Sequence, residues 1–204
     1  MKVLLVNGSP HPKGCTFTAL SEVGERLKEN GVDSEIFQLG TRPVRGCIDC
    51  KKCKKTGSGY CAFDDDVCNK LIDAIDDADG IVVGSPVYYS GPNGALCAVL
   101  DRAFYSAGGK FQHMPSACVV SCRRGGASAS FDRLNKYFAI NRMPIATSQY
   151  WNSVHGFTPD DVRQDLEGLQ IMRTLADNLS WLLKSIENES LPEVEDELRT
   201  NFID

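Results

Sequence analysis

Short runs of apolar residues alternate along the chain with segments whose apolar residues recur at helical spacing. The continuous apolar run from Val3 to Val6 predicts a buried strand. The segment from Thr16 to Glu29 places Leu20, Val23 and Leu27 on one face, which predicts a helix. Similar patterns predict further strands at 34–39, 81–83, 117–122 and 145–150, and further helices from 67, from 92, around 131–138 and at 159–186.

This alternation of strands and helices predicts the α/β class, with a parallel sheet covered by helices on both faces. Strands that are apolar throughout fit such a sheet, because they are buried on both sides. Ligands bind such sheets beyond the carboxyl ends of the strands, where the strand order reverses. No repeat or linker interrupts the pattern, so we expect one domain over residues 1–186, followed by an acidic tail at 187–204.

The composition restricts the partners and the compartment. The net charge of −5 argues against a nucleic acid or a membrane surface as a partner. The apolar run near the N-terminus is too short for a signal sequence or a transmembrane helix. The cysteine count of nine is odd. We therefore expect a cytoplasmic protein, in which clustered cysteines serve metal or redox chemistry more often than disulfides.

The loop after the first strand, NGSPHPKGCT at residues 7–16, has the character of a phosphate site. Small residues leave backbone N–H groups accessible, the following helix contributes positive potential, and hydroxyl groups can donate to phosphate oxygens. The loop matches neither the G-x-G-x-x-G dinucleotide fingerprint nor the P-loop. These mismatches argue against a Rossmann dehydrogenase and an ATPase. The alternative is an ordinary Gly/Pro-rich connection.

The loops after the third and fourth strands would meet the first loop in the same crevice. Residues 84–94 offer two aromatic rings and free backbone amides, which suit a flat heterocycle. Residues 121–128 bring two arginines that would lie near developing negative charge. Taken separately, a tyrosine pair that caps the sheet and a solvated basic turn explain these loops equally well. Their shared position at one crevice favours a ligand site.

These stretches, in this order, resemble the flavodoxin-like NAD(P)H-dependent FMN reductases. The resemblance covers roughly residues 1–150 and is carried by residues 7–16, 46–61, 78–102 and 121–128. It implies a doubly wound sheet of five strands in the order 2-1-3-4-5, with FMN at the point of reversal. It also implies NAD(P)H as co-substrate and a homodimer or homotetramer.

Carried over by position, the resemblance assigns residues to each part of FMN. Cys15 stands where these proteins commonly have Asn, so a side-chain amide contact would be lost there. Tyr88 and Arg124 are candidates for shaping the acceptor pocket, and no acid–base residue is assigned because the flavin carries the chemistry. The phosphate set is Ser9, Lys13, Gly14, Cys15 and Thr16; the isoalloxazine set is Pro86, Val87, Tyr88, Tyr89 and Ser90; the loop that completes the ring site is Arg123, Arg124, Gly125 and Gly126.

Four cysteines in the segment GCIDCKKCKKTGSGYC follow the pattern C-x2-C-x2-C-x7-C. The first three have the compact spacing of cluster-binding loops, and nearby basic residues would offset the charge of a thiolate-ligated [4Fe–4S] centre. The fourth is further away than in the ferredoxin pattern, and zinc usually takes two separated pairs. A cluster, a zinc ion, and free or redox thiols therefore all stay open. The residues are Cys47, Cys50, Cys53 and Cys61.

Three functions follow as hypotheses. The first is an FMN-dependent oxidoreductase that transfers electrons from NAD(P)H to a flavin, a quinone or another small acceptor. The second is an iron–sulfur flavoprotein, because the cysteine pattern resembles that of this group. Such a protein would pass electrons between a ferredoxin and FMN through a cluster on the cysteine segment. The third is a scaffold with this fold that binds no cofactor.

Overall fold

The computed structural model describes residues 1–193 together with residues 195, 198 and 200. A parallel sheet lies between two layers of helices. The strands are β1 (Lys2–Asn7), β2 (Asp33–Gln38), β3 (Gly80–Tyr88), β4 (Gly91–Pro92), β5 (Ser116–Cys122) and β6 (Ser153–His155). The helices are α1 (Cys15–Glu29), α2 (Lys52–Thr56), α3 (Cys68–Asp76), α4 (Gly94–Ala107), α5 (Ala127–Ile140), α6 (Pro159–Gln164) and α7 (Leu166–Ile186), with a 3-10 turn at Gly108–Phe111.

The strands are ordered β2-β1-β3-β5-β6, and the two-residue β4 pairs antiparallel with the end of β3. Counted over the parallel strands alone, this is the order 2-1-3-4-5, so the predicted doubly wound sheet is confirmed. The chain leaves β1 towards one edge of the sheet and leaves β3 towards the other. The carboxyl ends of β1 and β3 therefore flank the point of reversal, where a ligand is expected.

Alternate residues of the strands supply two separate cores. Leu4 and Val6 of β1 pack with α3, α4 and α5, whereas Val3 and Leu5 pack with α1 and α7. Successive side chains of a strand point to opposite faces. Because both faces are covered by helices, every position in the middle of β1 has to be apolar.

The last strand of the sheet lies later in the chain than predicted. In residues 145–150 the structure shows only a single bridge, between Ile145 and Ser116, whereas β6 makes the pairing with β5. The Ser148 hydroxyl donates to the carbonyl oxygen of Tyr150 at 2.6 Å. Such local bonds hold a turn in competition with a strand. The prediction of a strand at 145–150 was therefore wrong.

The long final helix is divided in two at Asp165. Its carboxylate accepts the backbone N–H of Gly168 at 3.0 Å, which caps the start of α7. The same carboxylate accepts the backbone N–H of His155 at 2.6 Å, which fastens the cap to β6. The continuous helix predicted over 159–186 is therefore α6 followed by α7.

The cysteine loop (residues 46–61) follows β2, as predicted, and lies against α3. The backbone N–H of Cys61 donates to the side chain of Asn69 at 2.9 Å, and the Tyr60 hydroxyl donates to Asp73 at 2.7 Å. The predicted tail at 187–204 lies partly outside the described residues, and the domain boundary at 186 stays a prediction. Among the helices in the described part of the chain, none has the length and apolar character of a bilayer span.

Candidate functional site

The loop after β1 leads into a helix start that is open to an anion. No side chain caps α1 at Gly14, and the first turn of the helix contains no acidic residue. The first N–H groups of a helix have no partner within the helix and carry partial positive charge. The start of α1 therefore presents N–H donors at the position assigned to the FMN phosphate.

The two hydroxyl side chains predicted for the phosphate also make hydrogen bonds within the protein. The Thr16 hydroxyl is buried 2.8 Å from the Ser121 hydroxyl, and the Ser9 hydroxyl accepts the backbone N–H of His11 at 3.1 Å. The Ser9 hydroxyl only accepts in its bond, so its O–H can still donate to an anion, and either hydroxyl of the Thr16–Ser121 pair can be the donor. The side chain of Lys13 is exposed and remains available, together with the backbone N–H groups.

Cys15 turns its side chain towards the loop that follows β6. Its Sγ lies 3.9 Å from the carbonyl oxygen of Gly156. Burial is the largest influence on this thiol and raises its pKa above the usual range. The Cys15 thiol is therefore a partly buried packing group that contacts the loop after β6.

Two buried asparagines, which sequence analysis missed, hold the loop in place. The Asn7 side chain donates to Gln38 at 2.6 Å and accepts the backbone N–H of Ser9 at 3.2 Å. The Asn93 side chain donates to the carbonyl oxygen of Gly8 at 2.6 Å. Asn93 also caps α4, which begins two residues later than the predicted Pro92. Each asparagine stands where an apolar element meets a loop, and that position was the available signal.

The tyrosine pair lies on a tight hairpin between β3 and β4. Tyr89 and Ser90 both have positive φ, of 49° and 59°, as the central residues of a type I′ turn do. Positive φ is unfavourable for a bulky side chain, so the turn stores strain of roughly 1–3 kcal/mol per residue. Tyr89 is fully exposed and Tyr88 is 44% exposed. The hairpin therefore presents two accessible aromatic rings at the carboxyl edge of the sheet.

The glycine pair after β5 brings the third loop against this hairpin. Gly126 has φ +88°, and a Cβ added to it would lie 2.7 Å from Ser90 Cα and 2.8 Å from a methyl group of Val87. Gly125, in contrast, has no heavy atom within 4 Å of such a Cβ. The two loops are therefore in backbone contact at Gly126, a contact that a larger residue would disrupt.

Arg123 and Arg124 are exposed at the same edge of the sheet. The guanidinium carbon of Arg123 lies 5.7 Å from the ring centroid of Phe157, a cation–π distance. The three loops thus meet at this edge of the sheet, through the contacts of Asn93 with Gly8, of Thr16 with Ser121 and of Gly126 with Ser90. That they hold FMN stays a prediction.

The four clustered cysteines are gathered around a single cavity. The cavity is small and is bordered by all four cysteines and by residues of α4. All four cysteines are free thiols; two are exposed and two are half-buried. Within the described residues, no three His, Cys, Asp or Glu side chains are close enough together to hold a metal ion. The donor set has the four thiols that a [4Fe–4S] centre requires, on a loop that faces one space.

Arg102 of α4 is a further residue of this site that sequence analysis missed. Its side chain is only 1% exposed and forms an ion pair with the buried carboxylate of Asp66. Its Nε donates to Cys61 Sγ at 3.2 Å, and its other donors reach the carbonyl oxygens of Arg45 and Phe63 at 3.2 and 3.1 Å. The signal was a charged residue among the apolar positions of α4, between Leu100 and Ala103 in sequence.

The sequence matches the family of NADPH-dependent FMN reductases over residues 1–158. An iron–sulfur flavoprotein of Methanocaldococcus jannaschii is 29% identical over 194 residues, which cover 91% of this chain and 99% of that protein. An iron–sulfur flavoprotein of Methanosarcina thermophila is 24% identical over 191 residues, which cover 92% of this chain and 97% of that protein.

Two solved structures show the same fold. RosB, with its bound intermediate 8-demethyl-8-formylriboflavin-5′-phosphate, superposes with a TM-score of 0.74 at 12% identity and covers 99% of this chain and 92% of that chain. A flavodoxin from the domain Archaea superposes with a TM-score of 0.59 at 15% identity and covers 90% and 99%.

The sheet order and these superpositions define a flavodoxin-like fold. With a match over residues 1–158, the chain belongs to the NADPH-dependent FMN reductase family.

Proposed function

We propose that this protein is a flavin-dependent oxidoreductase with two redox groups, FMN in the crevice and a [4Fe–4S] centre on the cysteine loop. The observation that carries the proposal is the convergence of four free thiols on one cavity. Two relatives of nearly the same length are named iron–sulfur flavoproteins, which supports it further. The ligands of the centre would be Cys47, Cys50, Cys53 and Cys61.

FMN would be held mainly by backbone groups. The N–H groups at the start of α1 and the exposed Lys13 would bind the phosphate, and the Ser9 hydroxyl, which only accepts a bond within the loop, would be a further donor. The hairpin at Tyr89 and the loop at Gly126 would border the ring system, with the tyrosines as stacking surfaces. When bound, FMN supplies a redox centre that exchanges electrons with hydride donors and with other carriers.

Helix α4 connects the two proposed centres. Its cap, Asn93, holds the phosphate loop, and Arg102 contacts the cysteine loop about 13 Å further along the helix axis. When bound, the iron–sulfur centre supplies single-electron exchange at this second position. The two centres would therefore lie on one rigid element at a constant separation.

The basic character of the cysteine loop favours an acidic electron carrier such as a ferredoxin. Residues 45–55 contain five basic residues and one acidic residue, although the whole chain carries a net charge of −5. Complementary charge speeds the encounter of two proteins and orients them. The basic residues are Arg45, Lys51, Lys52, Lys54 and Lys55.

The first experiment quantifies iron, sulfide and FMN in protein purified without oxygen. We expect about four irons per chain. The Cys50→Ala variant should lose iron, because it removes a thiol at the cavity, whereas Cys97→Ala should keep it, because Cys97 lies outside the cavity lining. Iron-free wild-type protein, or equal iron in both variants, would contradict the cluster assignment.

A second candidate is an NAD(P)H-dependent reductase of a flavin, a quinone or another small acceptor, in which the four cysteines act as redox thiols. Two of the thiols are exposed, and the four are not drawn to metal-binding distance within the described residues, which favours this reading. Its signature is rapid oxidation of NADH or NADPH with a quinone by iron-free protein that contains FMN. Absence of turnover with both nucleotides would exclude it. A cytoplasmic location and a homodimer or homotetramer stay predictions.

A further inference from the structure

The buried arginine of α4 directs its donors at the cysteine loop and its flanks. Arg102 is among the largest fully buried side chains, although the rest of the α4 face that packs on the core is apolar. Its guanidinium contacts four groups between residues 45 and 66: two carbonyl oxygens, the Asp66 carboxylate and Cys61 Sγ. Two carbonyls and a carboxylate would suffice to anchor a loop. The fourth contact points at the thiol that is proposed as a cluster ligand.

The charge of this guanidinium is retained despite burial. An arginine guanidinium stays protonated in proteins, and the ion pair with the buried Asp66 carboxylate stabilises that charge. Burial, the largest single influence, would raise the pKa of Asp66, but the hydrogen bond and charge of Arg102 together with two backbone N–H donors outweigh burial and lower that pKa. A buried ion is tolerated when its partners satisfy it, and the planar fork of arginine reaches several acceptors that a lysine ammonium could not.

We propose that Arg102 is a positioning residue that sets the reduction potential of the iron–sulfur centre. It does so by donating an N–H···S hydrogen bond to Cys61 and by fixing a positive charge 3.2 Å from that sulfur. The inference rests on the proposed function, in which Cys61 is a ligand of the centre. One-electron reduction adds a negative charge to the centre, so a cation and a hydrogen bond at a ligand sulfur stabilise the reduced state and raise the potential.

The test compares three variants with wild-type protein purified without oxygen. Arg102→Gln removes the charge, and Arg102→Lys keeps the charge but lacks the planar set of guanidinium N–H donors. Arg45→Gln is the matched control, because it removes one positive charge from the flank of the same loop, and that side chain is 48% exposed and is bonded to Asp65 rather than to a thiol. Iron per chain is measured first. The midpoint potential is then obtained by stepwise reduction with dithionite, followed by the paramagnetic signal of the reduced centre.

We expect both Arg102 variants to keep iron and to show a more negative midpoint potential than wild type, with the larger shift in Arg102→Gln. The Arg45→Gln variant should stay close to wild type. Two results would overturn this inference and leave the proposed function intact: an iron-replete Arg102→Lys variant with the wild-type midpoint potential, or a shift in Arg45→Gln as large as the shift in Arg102→Gln. Loss of iron from both Arg102 variants, with the fold retained, would also overturn the inference, because Arg102 would then only hold the loop in place. Wild-type protein without iron would overturn the cluster assignment itself.

Discussion

Replacing Gly126 by Ala should weaken FMN binding, because this residue joins two loops of the crevice. Its φ of +88° is a left-handed conformation, which costs an L-residue roughly 1–2 kcal/mol. The added Cβ would also lie 2.7 Å from Ser90 Cα, a backbone atom that cannot rotate away. Overpacking of this kind costs typically 1–3 kcal/mol. The combined penalty of about 2–5 kcal/mol can be relieved only if the two loops separate.

FMN binding requires the loops to come together again, so most of this penalty should appear in the affinity. A loss of about 1.4 kcal/mol already weakens binding tenfold, and we expect at least that change in Kd for Gly126→Ala. The assay is a titration of FMN fluorescence with apo-protein, accompanied by thermal unfolding of each variant. The FMN Kd of Gly126→Asn should lie between those of the wild type and Gly126→Ala, because Asn tolerates positive φ.

The neighbouring glycine provides the matched control for this prediction. Gly125→Ala makes the same chemical change at a position where the new Cβ would meet nothing within 4 Å. We expect wild-type affinity and thermal stability for it. A Gly126→Ala variant that binds FMN as tightly as Gly125→Ala would refute the assignment of the ring site to the contact between these loops.

Three further changes test other contacts. Thr16→Val should lower the free energy of unfolding by about 1–3 kcal/mol, because it leaves the buried Ser121 hydroxyl unpaired, yet it should leave the FMN Kd unchanged in the same titration. Asn93→Ala should lower that free energy by about 1–3 kcal/mol in a denaturant titration, because it removes a helix cap and the donor to Gly8; Asn93→Asp should recover only the cap contribution. Burial raises the pKa of Cys68 from 9.0 to about 12, so the folded state holds this proton more tightly than the unfolded chain, and stability should fall as pH rises from 9 towards 12. Cys68→Ala should show a smaller fall over that range by circular dichroism, and equal slopes would contradict the burial argument.

The strands at the centre of the sheet could be predicted from the sequence because burial on both faces requires an unbroken apolar run. Val3 to Val6 is such a run, and β1 lies there. At the edge of the sheet an unbroken apolar run is less strictly required. Residues 145–150 have strand-like composition, but hydrogen bonds of Ser148 hold a turn, and the short β6 contains only one fully buried apolar residue, Val154. Local side-chain bonds therefore decided the structure where the hydrophobic pattern was short.

The positions of the three flavin loops could be predicted in the same way, since strand order places them together. The roles of single side chains could not. The Thr16 hydroxyl, for example, is bonded to Ser121, 105 residues later in the sequence. The partners of Arg102 lie between 36 and 57 residues away. Such pairings depend on the packing of a helix against a distant loop, which leaves no periodic trace in the sequence.

The attachment of the cysteine loop has a consequence for how this protein evolved. The loop rests on the outside of the helix layer and contributes only partly buried side chains, such as Tyr60 and Cys61, to the core beneath it. Its most deeply buried contact is the hydrogen bond from Arg102 to Cys61, and the Asp66 carboxylate that pairs with Arg102 lies just after the loop. Insertion or deletion of such a segment during evolution would leave the packing of the sheet unchanged. Loss of the whole stretch from residue 45 to residue 66, which holds every partner of the Arg102 guanidinium, would leave a buried cation without a partner, so exchange of Arg102 for an apolar residue should accompany each such loss among related chains.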